Sequence, residues 1–376
     1  MFASLLGIAF ALAPAVAPSP AYAAAAPVAA PVAVPAAAPV PPPPAMEEVL
    51  AIPLPLREAL QAQVARAGGY SEQQRLTALV RFLFDPAGLG MTYEHDADYT
   101  VAEAYQTRKA NCLTFTLLTI ALARELGIQA HGQEIPRVLT WYREGDTLYF
   151  SNHVNAGVIV GGSRFSVDVA SDSILSGEPP RRIDDNRLLA IFHSNRAASL
   201  LARGLYRDAH AYMDAALAAD DRYPAAWNNA GVLALREGRQ DEAERHFLRT
   251  IELSRAHEGA LMNLAALYAA RGEHGKERQF RNRIDGIQRR NPFHHFLLAT
   301  EHEKQGDYAA AARRYKRAIA LYDGEHQFHH GLARAYLHLG EYRKAGAALR
   351  RAQALAGQGA AERYQAKLDL LRRKGF

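Results

Sequence analysis

The sequence predicts an α+β domain followed by an all-α repeat solenoid. Three observations point to it. Glycines recur at Gly204, Gly238, Gly272, Gly306 and Gly340, 34 residues apart each time, and a fixed period of that length marks stacked structural repeats. In the first half, apolar residues at helical spacing give way after Gly127 to alternation, which means helices followed by strands. Between these patterns, Leu113, Phe115, Leu117, Leu118, Ile120 and Leu122 are apolar nearly all round one helix. Such a helix belongs inside a core.

Length and charge set the bounds. A chain of 376 residues accommodates two or three domains. The net charge of +5 lies entirely on residues 46–376, because 1–45 carry no charged side chain. That charge is diffuse, with no basic stripe or aromatic platform, so nucleic acid is not an expected partner. Cys112 is the only cysteine, which excludes an intramolecular disulfide and leaves one unpaired thiol.

The elements follow in order. Residues 1–23 read as a signal peptide: Leu5–Leu12 is apolar and Ala21-Tyr22-Ala23 fits a small-x-small cleavage site, although no Lys or Arg precedes them. The apolar run is too short to span a bilayer. The expected location is therefore exported, periplasmic or secreted in a bacterium, and cytoplasmic if this segment is not a signal. Residues 24–45 are Ala/Pro-rich and read as a disordered, extended tether.

The α+β domain is expected over 46–176. Pro55–Arg66 has a helical pattern. Ser71–Gln74 and Thr100–Glu103 have the form of capping boxes, each opening a helix. Gly88–Tyr99 reads as a loop. Asn111 is a good helix N-cap, so Cys112 begins the apolar helix, which Gly127 stops. There the helix dipole and the free N–H groups favour thiolate over thiol. Strands are expected at Ile128–Ile135, Val138–Arg143, Leu148–Ser151, His153–Val160 and Arg164–Val169, as an antiparallel meander. A turn at Gly161-Gly162 pairs Val160 with Ser163. Asp168 then faces Asn155, one diagonal step from His153, within reach of an imidazole–carboxylate hydrogen bond. A cysteine nucleophile needs such a base and orienting group.

These residues resemble a transglutaminase-like domain of the papain-like superfamily. The likeness rests on Arg108-Lys109 and Asn111-Cys112-Leu113-Thr114-Phe115-Thr116 at the head of a helix, then His153, then Asp168, and covers about residues 56–176. It implies Cys112 as nucleophile, His153 as base and then acid, and Asp168 as the group that orients the imidazole. The implied reaction is acyl transfer through a thioester. Tyr105 and Gln106 are candidates to complete an oxyanion site beside the backbone N–H of Cys112.

Residues 177–186 read as a linker and 187–376 as five repeats, with a capping helix at Leu355–Arg373. Five residues after four of the glycines stands alanine, at Ala209, Ala243, Ala311 and Ala345; four further on stand Met213, Phe247, Tyr315 and Leu349. The pattern resembles tetratricopeptide repeats, two antiparallel helices per unit, which implies a surface that binds proteins or peptides. The third unit has Glu277 in place of alanine, and a local distortion is expected there. His294, His295, His302, His326, His329 and His330 have no cysteine or ordered carboxylate frame beside them, so no metal is expected, and no cofactor motif occurs. The reading is an exported cysteine-dependent acyl-transfer enzyme, hydrolysing amides or peptides rather than cross-linking, as a cysteine protease does. The alternative is a catalytically silent fold serving as an adaptor in the cell envelope.

Overall fold

The computed structural model describes residues 41–68, 71–85, 87–135, 141–144, 147–150, 153–168 and 179–373. The expected signal peptide and all but residues 41–45 of the tether lie outside them. The chain divides into two compact units, one running to Ser254 and the other from Arg255.

The first unit opens with helices α1 (Met46–Val49), α2 (Leu54–Arg66) and α3 (Glu72–Phe84). Ser71 caps α3 through its hydroxyl, which accepts the Gln74 N–H at 3.2 Å, while the Gln74 side chain accepts the Ser71 N–H at 3.0 Å. Inside the expected loop, β1 (Thr92–Tyr93) pairs in parallel with β2 (Lys109–Ala110). Between them lies α4 (Val101–Thr107), opened by the Thr100–Glu103 capping box. Arg108 closes α4 in the left-handed region, φ 57°, and turns the chain into β2.

Helix α5 (Cys112–Glu125) is followed by β3 (Gln129–Ile135), β4 (Trp141–Glu144), β5 (Thr147–Phe150), β6 (His153–Val160), β7 (Ser163–Val167) and β8 (Arg181–Ile183). The expected meander is not what forms. β3 pairs directly with β6, and the four-stranded antiparallel sheet runs β7-β6-β3-β8, while β4 and β5 form a separate hairpin. Alternation shows which segments are strands but not which neighbours they choose. The expected linker also contributes β8, a polar three-residue edge strand too short to show a period.

Val154, Ala156 and Val158 of β6 are fully or almost fully buried in the same core as Leu117, Leu118 and Ile120 of α5. Thr116 Oγ1 shares its one proton between the Cys112 carbonyl at 2.7 Å and the Val154 carbonyl at 3.2 Å, so helix and sheet meet at this hydroxyl as well as in the core. Helix α6 (Asp185–Ala202) packs against β3. Gly132 leaves room for the neighbouring β8, because a Cβ on it would lie 2.8 Å from Ile183 Cγ1. The unit ends with α7 (Tyr206–Ala219), α8 (Pro224–Arg236) and α9 (Gln240–Leu253). Its apolar core runs without a break from Val49 to Leu233.

The second unit is helical: α10 (Glu258–Ala270), α11 (His274–Gln288), α12 (Pro292–Lys304), α13 (Tyr308–Leu321), α14 (His326–His338), α15 (Tyr342–Leu355) and α16 (Gln358–Arg373). Each recurrent glycine sits between the two helices of a hairpin with φ between 72° and 79°, a conformation glycine adopts without strain. The alanines five residues on are fully buried, as are Phe247 and Tyr315. Third-unit distortion does not occur in the backbone: helices begin at 224, 258, 292 and 326 without a slip. What changes is burial. Phe280 is the only buried residue of α11, because charged side chains replace the small and apolar ones.

Candidate active site

Three elements bring the candidate residues together. Asn111 is extended, and its Oδ1 accepts the Thr114 N–H at 2.9 Å. Cys112 therefore occupies the first position of α5, half-buried. Thr116 Oγ1 donates to the Cys112 carbonyl at 2.7 Å, fixing the first turn.

His153 begins β6, and Asp168 follows directly on β7. The ladder pairs Val160 with Ser163 and Ala156 with Val167, the register expected from the Gly161-Gly162 turn. Continued by one residue it sets Asp168 opposite Asn155. His153 Nε2 meets Asp168 Oδ2 at 2.8 Å, and both side chains are under one-tenth exposed. Asn155 Nδ2 donates to the same oxygen at 2.9 Å.

Burial pushes the His153 imidazole down, but its hydrogen bonds to Asp168 and to Cys112 outweigh burial and lift it to about 9. His153 thus interacts with both Asp168 and Cys112. The raised imidazole stands beside a sulfur at a helix N-terminus.

The other two candidates are placed differently. Tyr105 lies under the Arg108 guanidinium, 4.4 Å from its ring centroid, and Gln106 is exposed on α4. Sequence reasoning missed two residues that shape the site. Asn155 had served only to mark register, yet it donates to Asp168. Asp98 sits in a stretch read as plain loop; it is 5% exposed and accepts from the Asn111 side chain. No local pattern announces a carboxylate that acts 13 residues away.

The histidines of the second unit go to separate partners. His326 Nδ1 meets the Tyr364 hydroxyl at 2.8 Å, His329 Nε2 meets Asp323 Oδ1 at 2.9 Å, and His295 Nε2 meets the Arg289 carbonyl at 3.1 Å. Burial and then the Lys367 charge push His330 down to about 4, so its Nε2 accepts from Lys367 Nζ at 2.6 Å. Among the described residues no three His, Cys, Asp or Glu converge as a metal site. No described helix is long and apolar enough to cross a membrane.

Residues 195–258 and 296–360 match the family model of the tetratricopeptide repeat, a protein-binding repeat class. No curated protein matches the chain. Solved structures similar to it include one titled "Crystal structure of MamA protein", at 14% identity, covering 44% of this chain and 91% of that one, with a TM-score of 0.25. A second is YrrB, titled "a TPR protein with an unusual peptide-binding site", at 16% identity, 47% and 92% coverage and a TM-score of 0.25. A third is Pseudomonas aeruginosa pilF, at 14% identity, 48% and 91% coverage and a TM-score of 0.26.

Proposed function

We propose that the α+β part is a transglutaminase-like domain acting as a Cys-His-Asp acyl-transfer enzyme on amide bonds, with a repeat domain that recruits a protein or peptide. The observation that carries this reading is the relay from Cys112 through His153 to Asp168, with the imidazole held protonated to about pH 9. The Cys112 thiolate attacks the amide carbonyl carbon. The C–N bond breaks, and the imidazolium gives its proton to the leaving amine, forming a thioester and neutral His153. Water then attacks the thioester with His153 taking its proton; the C–S bond breaks, leaving a carboxylic acid and the restored thiolate–imidazolium pair. Asp168, itself held by Asn155, keeps the ring in place throughout. Hydrolysis is favoured over cross-linking on the family resemblance.

Export belongs to the same proposal and rests on the Leu5–Leu12 run and the Ala21-Tyr22-Ala23 site. N-terminal sequencing of the native protein tests it, with Ala24 as the expected first residue.

The chemistry is tested by iodoacetamide alkylation as a function of pH, since every adduct reports the single cysteine. Wild type should react rapidly from pH 6 upward. His153→Ala should react on the order of 10- to 100-fold more slowly at pH 7, because a thiol of ordinary value near 8.5 is only a few per cent thiolate there. A sluggish thiol indifferent to His153 defeats the proposal and leaves a silent domain beside a functional repeat surface.

A further inference from the structure

We propose that Asp98 is a positioning residue for Cys112, and that helix α6, the first helix of the repeats, is a built-in part of the nucleophile's seat. The proposal rests on the acyl-transfer reading for its consequence, though not for its geometry.

Asp98 is met by donors alone. Asn111 Nδ2 donates to its Oδ1 at 2.8 Å, and Asn195 Nδ2 donates to the same oxygen at 3.1 Å. Ser199 Oγ donates to its Oδ2 at 3.4 Å. A carboxylate offers both of its oxygens to this set. Burial raises the Asp98 carboxyl above its ordinary value; Asn111, Asn195 and the nearby Arg196 oppose that rise without cancelling it.

The consequence runs through Asn111. Its Oδ1 caps the Thr114 N–H, so the amide must be held in one orientation. Asp98 and the His95 carbonyl, at 3.2 Å, hold its other end. Thr114 is fixed independently, its Oγ1 donating to the Ala97 carbonyl at 2.6 Å and accepting the Tyr99 N–H at 2.8 Å. Helix α6 grips the same loop with three residues on one face. Asn195 and Ser199 reach Asp98, and Arg196 Nη2 donates to Glu103 Oε1 at 2.6 Å. Glu103 closes the capping box of α4. The loop that orients the first turn of α5 is therefore clamped from the repeat side. Losing the clamp lets Asn111 rotate, and the first-turn N–H groups beside Cys112 lose their fixed aim.

Two readouts test this, on Asp98→Ala and, keeping the carboxylate, on Asn195→Ala with Ser199→Ala. The first is hydrogen exchange at the Thr114 amide, expected to be about tenfold faster, the factor matching loss of a typical cap. The second is the pH profile of Cys112 alkylation, expected to move to higher pH with a several-fold slower reaction at pH 7. Leu188→Ala is the control. It removes fully buried packing on α6 without touching Asp98, and should lower thermal stability while leaving the profile in place. Unchanged exchange and an unchanged profile in the Asn195/Ser199 variant overturn the proposal. So does a control that shifts the profile equally. If the wild-type thiol ignores His153, the acyl-transfer reading fails, and the Thr114 exchange still decides whether Asp98 and α6 seat the helix.

Discussion

His153 links the candidate chemistry to stability. In the unfolded chain the imidazole has its ordinary value near 6.5; in the fold, Asp168 and Cys112 lift it to about 9 against the opposing effect of burial. A raised value contributes stability that is fully present below 6.5 and is lost as pH rises through 9. At 1.36 kcal/mol per pK unit the contribution is on the order of 3 kcal/mol. Thermal unfolding measured from pH 6 to pH 10 should show wild type losing that increment over this window. His153→Ala should lack it, and Asp168→Asn should move its upper limb below pH 9. Parallel profiles for wild type and His153→Ala would contradict the pairing. The meeting of these side chains was legible because a two-glycine turn sets register, and register sets which residues are opposite. Asp98 was not legible, since its partners come from a cap and a distant helix that no local spacing relates.

The repeat hairpins show the same contrast at the level of elements. Their 34-residue period was readable because each glycine and each buried alanine answers a steric demand that recurs with the fold. Two further glycines carry demands of their own. A Cβ on Gly231 would stand 2.5 Å from Phe247 Cε1, and one on Gly331 would stand 2.4 Å from Tyr315 Cε1. Both rings are fully buried and have little room to retreat. Alanine gains about 1 kcal/mol of helix propensity over glycine, but overpacking costs about 1–3 kcal/mol, so steric conflict should win. Gly231→Ala and Gly331→Ala are expected to lower the denaturation midpoint. Gly286 of α11 has nothing within 4 Å of its would-be Cβ, so Gly286→Ala should raise the midpoint by propensity alone. The sign difference between these glycines is the test. Equal effects would mean that propensity alone governs all three. The weakness of α11 was only half legible: Glu277 announces a departure, but its result is lost burial rather than a broken helix.

At the scale of the whole molecule, the sequence suggests cutting between the α+β domain and the repeats, and the packing argues against it. The boundary at 177–186 looked like a linker because it is polar and contains proline. In the fold, β8 joins the sheet within it, and α6 immediately follows. Leu188, Ile191 and Phe192 of α6 are buried at 0%, 3% and 0% exposure in the core that includes α5 and β6. Asp185 takes both terminal nitrogens of Arg124, at 2.7 and 2.8 Å, and His193 Nε2 meets the Pro44 carbonyl at 3.0 Å. Burying three such apolar side chains is worth about 1.5–3 kcal/mol each, a sum comparable to the about 5–15 kcal/mol that holds a whole domain together. A chain ending before Asp184 should therefore fail to fold cooperatively, and Cys112 in it should alkylate with the pH dependence of an ordinary exposed thiol. A chain ending at Ser254 keeps α6 to α9 and the core from Val49 to Leu233, and should retain the cooperative transition and the Cys112 pH profile of the full protein. Calorimetry and alkylation of the two truncations decide between the boundaries. A stable, reactive fragment ending before Asp184 would restore the linker and make the first repeat separable from the site.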